Sequence, residues 1–438
     1  MNNNQTKIGM PMQRWIGFLI FLFPFLSLIT PFGIGFSSII FVLTVLCVPR
    51  KAWAAVALHW REIRWVVAAF AYYLLLSLAF VLARPETEWR YLDKPLRMFL
   101  GFSALMLVVL ARPSRTCLWW GVIGGALAAL PFIAWQRFVL DIYRPGGWLN
   151  SITFGDIALC LALVALAAAI DYRHSNRKAI FPALGALAGL GATVISGTRG
   201  GWIALGLAAI LFLAYARRLQ SRGVRLLLGG SFALFASTFF IPAFGVQERV
   251  DQGMDDVRTW LDGGSAFSNV GVRLELWKGA RHIIAEEPWF GRDPASVRAE
   301  LHELAQQGKV QDAILEFAHH LHNDILQAQA TGGVFGLLAY IGILAMPFAF
   351  FARAAGRNSR SGGTRIDHQY APGFAPALAG MLVVLGYFGF GLTEVIFWSL
   401  KGAMFYVLMV ALLMGFCLIA QDDAKADAQA GMETQSGQ

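Results

Sequence analysis

Three of the eight histidines in the chain stand together in His319-His320-Leu321-His322-Asn323-Asp324, where a long polar segment gives way to an apolar run starting at Ile325. Imidazole gains and loses a proton near neutrality, with an unperturbed pKa of about 6.5. A cluster placed at such a boundary points to proton transfer at a membrane surface. Helical spacing over 316–330 would put His320 on a polar stripe with Glu316, Asn323, Asp324 and Gln327. His322 would then share a more apolar side with His319, Leu326 and Gln329. On spacing alone His320 has the better claim to act as a base. No metal site is expected, because the pattern of two helical histidines with a glutamate between them is absent. The plainer alternative is a set of histidines that cap a helix at the interface.

Guanidinium groups supply the complementary charge. Arg199 lies in Ser196-Gly197-Thr198-Arg199-Gly200-Gly201 between two apolar runs. Glycines there allow a tight turn, and the following helix start offers free N–H groups to an anion. An arginine snorkelling to the interface is the competing reading. Arg273, Trp277 and Arg281 recur at i, i+4 and i+8, which makes one cationic, aromatic helix face or an ordinary solvated one. Arg137 and Arg144 flank the end of an apolar run, beside Gln136 and Tyr143. Such guanidiniums can grip a diphosphate bidentately, a task lysine performs less specifically. Glu394, between the last two apolar runs, fits a solvated turn and a site member equally well.

The elements that must position these residues are transmembrane helices. The 438 residues are 57% hydrophobic and only 14% charged, against about 25% charged in a soluble domain. Mean hydropathy is +0.56. The expected fold class is an all-α polytopic membrane protein. Twelve apolar runs are long enough to span a bilayer core of roughly 30 Å: 15–30, 32–49, 64–83, 96–111, 118–139, 152–170, 179–196, 201–216, 224–245, 325–351, 374–393 and 396–420. With the N-terminus inside, the inner connections hold twenty Lys and Arg and the short outer ones eight. That bias places both termini in the cytoplasm and the histidines outside.

The expected organisation is nine spans over 1–245, a helical loop subdomain over 246–323, three spans over 324–420 and a disordered cytoplasmic tail over 421–438. Within the loop, Leu274, Trp277, Ala280 and Ile284 recur at helical spacing, and Asp293-Pro294 reads as a helix start. Lys7 and Arg14 before an apolar run look like a signal-peptide start, but no small-x-small cleavage site follows, so a retained first helix is expected. The four cysteines sit in or beside apolar runs without metal-ligand spacing. No P-loop, nucleophile elbow or strand-borne dinucleotide fingerprint occurs, which leaves nucleotide-driven chemistry without support. The net charge of +9 needs only membrane topology and anionic lipid to explain it, with no nucleic-acid partner.

Three segments together resemble the O-antigen ligase family, within the superfamily that also holds O-antigen polymerases and bacterial protein O-oligosaccharyltransferases. They are Ser196-Gly197-Thr198-Arg199-Gly200-Gly201-Trp202, Arg273-Leu274-Glu275-Leu276-Trp277 running to Pro288-Trp289-Phe290-Gly291, and His320-Leu321-His322-Asn323 followed by Gly332-Gly333-Val334-Phe335-Gly336-Leu337. The resemblance implies a metal-independent, inverting glycosyltransferase of the Gram-negative inner membrane, working without a cofactor on the periplasmic face. Its donor would be a polysaccharide on undecaprenyl diphosphate and its acceptor a sugar hydroxyl of lipid A–core. Carried over, His322 becomes the general base, while Arg199 and Arg273 bind the leaving diphosphate. The resemblance thus reverses the order that spacing gives to the histidines and leaves His320, Asn323 and Arg137 as substrate contacts. A polymerase or a protein O-glycosyltransferase would use the same donor. A transporter of lipid-linked saccharide is a more distant reading, since such proteins place ionisable groups near the bilayer midplane.

Overall fold

A helix that is apolar on every face has to be surrounded by other helices or by lipid. Both solutions occur in the computed structural model, which describes residues 9–84, 87–172, 176–198, 200–216, 246–357 and 373–436, with scattered positions between 226 and 237. Sixteen α-helices follow one another among these residues, and no strand occurs among them. They are α1 Met10–Leu26, α2 Gly33–Cys47, α3 Pro49–Ala57, α4 Trp60–Ala83, α5 Asp93–Leu100, α6 Ser103–Ala111, α7 Thr116–Phe138 and α8 Ser151–Asp171. Then come α9 Asn176–Ser196, α10 Gly201–Ala214, α11 Val246–Leu261, α12 Gly271–Glu286, α13 Pro294–Gln306, α14 Asp324–Arg357, α15 Phe374–Gly391 and α16 Leu400–Ser436.

Among the described residues, eight helical stretches are long and apolar enough to cross a membrane, nine if α2 and α3, which meet at 96°, make one broken span. The chain is therefore an all-α membrane protein. Of the other expected spans, those at 15–30 and 201–216 correspond to the shorter apolar helices α1 and α10, and 224–245 lies outside the described residues. The centre of the bundle is α8, α15 and α16, whose apolar side chains are almost all buried. Small residues let neighbours close in. A Cβ on Gly121 or Gly125 of α7 would lie 2.3 Å from the Phe21 oxygen or 2.4 Å from the Pro24 oxygen of α1. The α16 backbone stays helical to Ser436, through a tail whose polarity points to disorder. Its Ala, Gln, Lys and Met residues are good helix formers that extend an already nucleated helix.

Helices α11 to α13 form a cap at one end of the bundle, with a core of their own built on Leu276, Ala280, Ile283, Leu301, Leu304 and Leu321. The buried stripe of α12 runs through Val272, Leu276, Ala280 and Ile283, one register away from the spacing picked out by Leu274 and Ile284. Glu275, only 2% exposed, takes a hydrogen bond from Trp260 Nε1 at 2.6 Å and from the Gln311 N–H at 2.9 Å. Asp293 caps α13 as expected, accepting from the Ala295 N–H at 2.9 Å ahead of Pro294.

The cap is joined to α14 through a break in that helix. Gly333 adopts φ +58° and ψ −152°, a region essentially confined to glycine. The freed backbone groups find partners in the loop after α12, as buried backbone groups do. The Val334 N–H donates to the Pro288 oxygen and the Ala330 oxygen accepts from the Arg292 N–H, both at 2.9 Å. Arg84, at the end of α4, donates to the Phe290 oxygen at 2.6 Å, to the Gly291 oxygen at 3.0 Å and to the Thr331 oxygen at 3.3 Å.

Candidate functional site

Helix α14 starts where Asn323 caps it. The Asn323 Oδ1 accepts from the N–H groups of Ile325 and Leu326, both at 3.0 Å, and its Nδ2 donates to the Leu392 oxygen at 3.0 Å. One side chain thus fixes the helix start and ties it to the turn between α15 and α16. Residue His322 just before it sits at φ +50°, a left-handed conformation that costs a non-glycine residue roughly 1–2 kcal/mol. The turn is held from both sides, by the Leu321 N–H on Gln327 Oε1 at 2.9 Å and by Trp277 Nε1 on the Leu321 oxygen at 3.0 Å.

Residues 316–323 are therefore not helical, and the stripe that grouped His320 with Glu316 does not exist. The αL residue and the cap stop the helix short of the histidines. Instead, His320 and His322 face each other with ring centroids 4.2 Å apart at 67°. Both are turned toward Glu394. The His322 Nδ1 lies 3.0 Å from Glu394 Oε2, and His320 Nδ1 lies 3.8 Å from Oε1. Arg273 of α12 brings Nη2 to 3.8 Å from the same Oε2. His319 is exposed and makes no such contact.

Burial works to raise the Glu394 carboxyl, but the hydrogen bond and charge of His322, helped by His320, outweigh it and hold the group below the usual carboxylate range. Burial, then the neighbouring His322, pushes His320 down to about 4, so that ring is neutral at pH 7. Burial also lowers the Arg273 guanidinium, against the pull of Glu394 and with the push of Arg144. A guanidinium stays cationic regardless. His320, His322 and Glu394 also offer, within 4.8 Å of one another, three atoms that could ligate a metal ion. Arg273 already supplies that carboxylate with a cation, and a dication would meet its repulsion.

Beside Glu394 opens a cleft of about 140 Å³ lined by Tyr143, Arg144, Gly197, Gly200, Arg273 and Thr393 among others. Arg199 lies outside the described residues; the glycines on either side of it in sequence, Gly197 and Gly200, line the cleft. The turn before it is built from Thr198, whose hydroxyl donates to the Ser151 oxygen at 3.0 Å, and from Gly197 at φ +74°. The start of α10 follows at Gly201. Arg137 is not part of the lining. Its guanidinium stacks over Tyr143 at 5.3 Å and donates to the Ile142 oxygen at 3.4 Å, whereas Arg144 lines the cleft. Arg281 is exposed, whereas Arg273 and Trp277 on the same helix are half-buried.

Sequence reasoning left Glu394 and Arg144 undecided. For Glu394 the available signal was an acid in a short turn between two almost wholly apolar spans. For Arg144 it was the Gly146-Gly147 pair that follows it and lets the chain fold back, with the Gly147 N–H on Gln136 Oε1 at 2.9 Å.

Residues 184–341 match the family described as O-antigen ligase. A protein of Haemophilus influenzae described only as uncharacterized is 24% identical over 348 residues, which are 77% of this chain and 85% of that one. The O-antigen ligase of Escherichia coli K12 is 27% identical over 185 residues, 42% of this chain and 38% of that protein. The matched region contains both the glycine turn around Arg199 and the histidine turn.

Proposed function

We propose, for a chain similar to the O-antigen ligase superfamily, that it transfers a polysaccharide from undecaprenyl diphosphate to a sugar hydroxyl of lipid A–core, on the periplasmic face of the inner membrane. One observation carries this reading: a histidine locked onto a carboxylate beside a cleft edged by guanidiniums. With the Nδ1 proton of His322 donated to Glu394, the Nε2 lone pair is left to accept a proton. A sugar hydroxyl is a poor nucleophile, and a positioned base is worth roughly 10²–10⁴ in rate.

The acceptor O–H gives its proton to His322 Nε2 as its oxygen bonds to the anomeric carbon of the donor. The bond from that carbon to the diphosphate oxygen breaks, and its electron pair leaves with the diphosphate. Arg273 and Arg144, which line the cleft, are assigned to that growing charge as donors already in place, and Arg199 joins them on the family resemblance. Attack opposite the leaving group inverts the anomeric centre. Glu394 keeps the imidazole in one tautomer and stabilises the imidazolium, and His320, neutral, walls the site. Asn323, with both ends of its amide engaged by backbone, acts by placing His322.

The test is transfer by purified full-length protein given lipid-linked polysaccharide and core lipopolysaccharide, with and without chelator. His322→Ala is expected to abolish product, and Glu394→Gln to lower kcat by about 10²-fold with donor KM near that of the parent. Full activity of His322→Ala, or loss of activity with chelator, would overturn the assignment. Product formed only on a protein, or only as longer polymer on the carrier lipid, would keep the donor chemistry and change the acceptor.

A further inference from the structure

A second hollow lies across the site from the arginine cleft. It has a volume of about 160 Å³ and runs between α4 and α14, closed by Lys94 of α5 and by Phe397 and Trp398 before α16. The two hollows share no lining residue. The 393–398 segment separates them, with Thr393 and Glu394 on one and Phe397 and Trp398 on the other. Asp324, next but one to His322, lines this second hollow, as does Gln327, whose Oε1 holds the Leu321 N–H. Its wall is thus continuous with the turn that carries the base.

The polar groups facing this hollow are short of partners. Asp324 is 4% exposed and is met by backbone N–H groups alone, with a long bond of 3.5 Å from Phe397 and a contact from Ile396. Lys94 lies over the Trp398 ring at 5.0 Å and closes no salt bridge with Asp324. The buried hydroxyls of Thr87 and Tyr340 have no hydrogen-bond partner. Charges and hydroxyls withdrawn from water cost free energy unless a partner completes them. A carboxyl group and two hydroxyls suit sugar hydroxyls, an indole face suits the apolar face of a pyranose ring, and a lysine amine suits an anionic substituent. A volume of about 160 Å³ has room for about one sugar unit.

We propose that this hollow is the acceptor subsite, seating one sugar unit that bears a phosphate or carboxylate. This rests on the transferase reading and adds to it the side from which the acceptor comes. In this proposal a hydroxyl reaches the base from the side of Asp324, and the diphosphate departs into the arginine cleft across the 393–398 segment. The anion belongs to the acceptor glycolipid. A phospholipid headgroup offers similar chemistry, and the test separates the two.

Reconstituted full-length protein is assayed for the KM of core lipopolysaccharide and of donor separately. Lys94→Met is expected to raise acceptor KM about tenfold, the size of one lost charge-assisted contact, with donor KM unchanged. Thr87→Val, nearly isosteric and safe for folding, is expected to raise acceptor KM several-fold. With dephosphorylated, carboxylate-reduced acceptor, the difference between Lys94→Met and parent should vanish. Unchanged acceptor KM in both variants, or a change in donor KM instead, would overturn the subsite. So would a Lys94→Met effect that follows the anionic phospholipid content of the vesicles but not the acceptor. Absence of transfer by the parent protein would instead sink the transferase reading on which the subsite rests.

Discussion

At the scale of single residues, three side chains from two separate segments, the 320–322 turn and α12, meet at Glu394. The cleft beside it makes a direct comparison available. Arg144→Ala should raise donor KM about tenfold, the cost of one bidentate contact, whereas Arg137→Ala, whose guanidinium stacks on Tyr143, should leave donor KM within about twofold. Equal effects would return Arg137 to the binding set.

His320 carries a pH dependence whose sign is fixed by its burial. Its folded pKa of about 4 lies below an unfolded value of about 6.5, so between these values the unfolded chain binds more protons. The stability from the neutral buried ring is present in full above about pH 6.5 and is lost as pH falls toward 4. Thermal unfolding in detergent at pH 7.5 and 4.5 should show a smaller drop for His320→Gln than for the parent. An equal drop would place the acid sensitivity elsewhere. The histidines and Arg273 were legible as residue types at a membrane boundary. Their convergence on Glu394 was not, because residues 320, 322, 273 and 394 come together through tertiary contacts that no local periodicity records. The αL residue His322 hid the helix start in the same way, since a turn held by Asn323, Gln327 and Trp277 overrides a helical pattern.

At the scale of elements, the glycine pair in α14 divides the work unequally. A Cβ on Gly332 would meet only the Phe80 ring at 3.4 Å, while one on Gly333 would fall 2.2 Å from the backbone of Trp289. Gly332→Ala should therefore stay within about 1 kcal/mol of the parent. Gly333→Ala should lose at least 1–3 kcal/mol, roughly the strain of its backbone region, and more from the clash. Melting of the two variants in detergent tests this, and matching Tm values would mean that the loop can slide off α14. The sequence displays the paired glycines and the Pro288–Gly291 segment. It does not display that each completes the other's hydrogen bonds, because the two are far apart along the chain. The apolar spans, by contrast, were legible in part, because a bilayer imposes length and composition locally: eight or nine of the twelve expected runs are long enough to cross, α1 and α10 are shorter, and 224–245 lies outside the described residues.

At the scale of the whole molecule, the cap lies at one end of the bundle and the long tail of α16 at the other, where Arg112 pairs with Asp422 at 3.1 Å. The expected topology makes the first end periplasmic and the second cytoplasmic. A cysteine at Phe267, 73% exposed in the cap, should react with a membrane-impermeant maleimide in intact cells with permeable outer membranes. One at Lys425 should react only after lysis, and the reverse pattern would invert the topology.

The break at Gly333 also bears on how the protein is made. Residues 288–292, which satisfy the backbone opened by the break, are synthesised before residues 330–334. When the second half of α14 enters the bilayer, its partner has already left the ribosome and needs only to fold back on it. A circularly permuted chain that delivered α14 first would make the broken helix before the loop that completes its backbone hydrogen bonds.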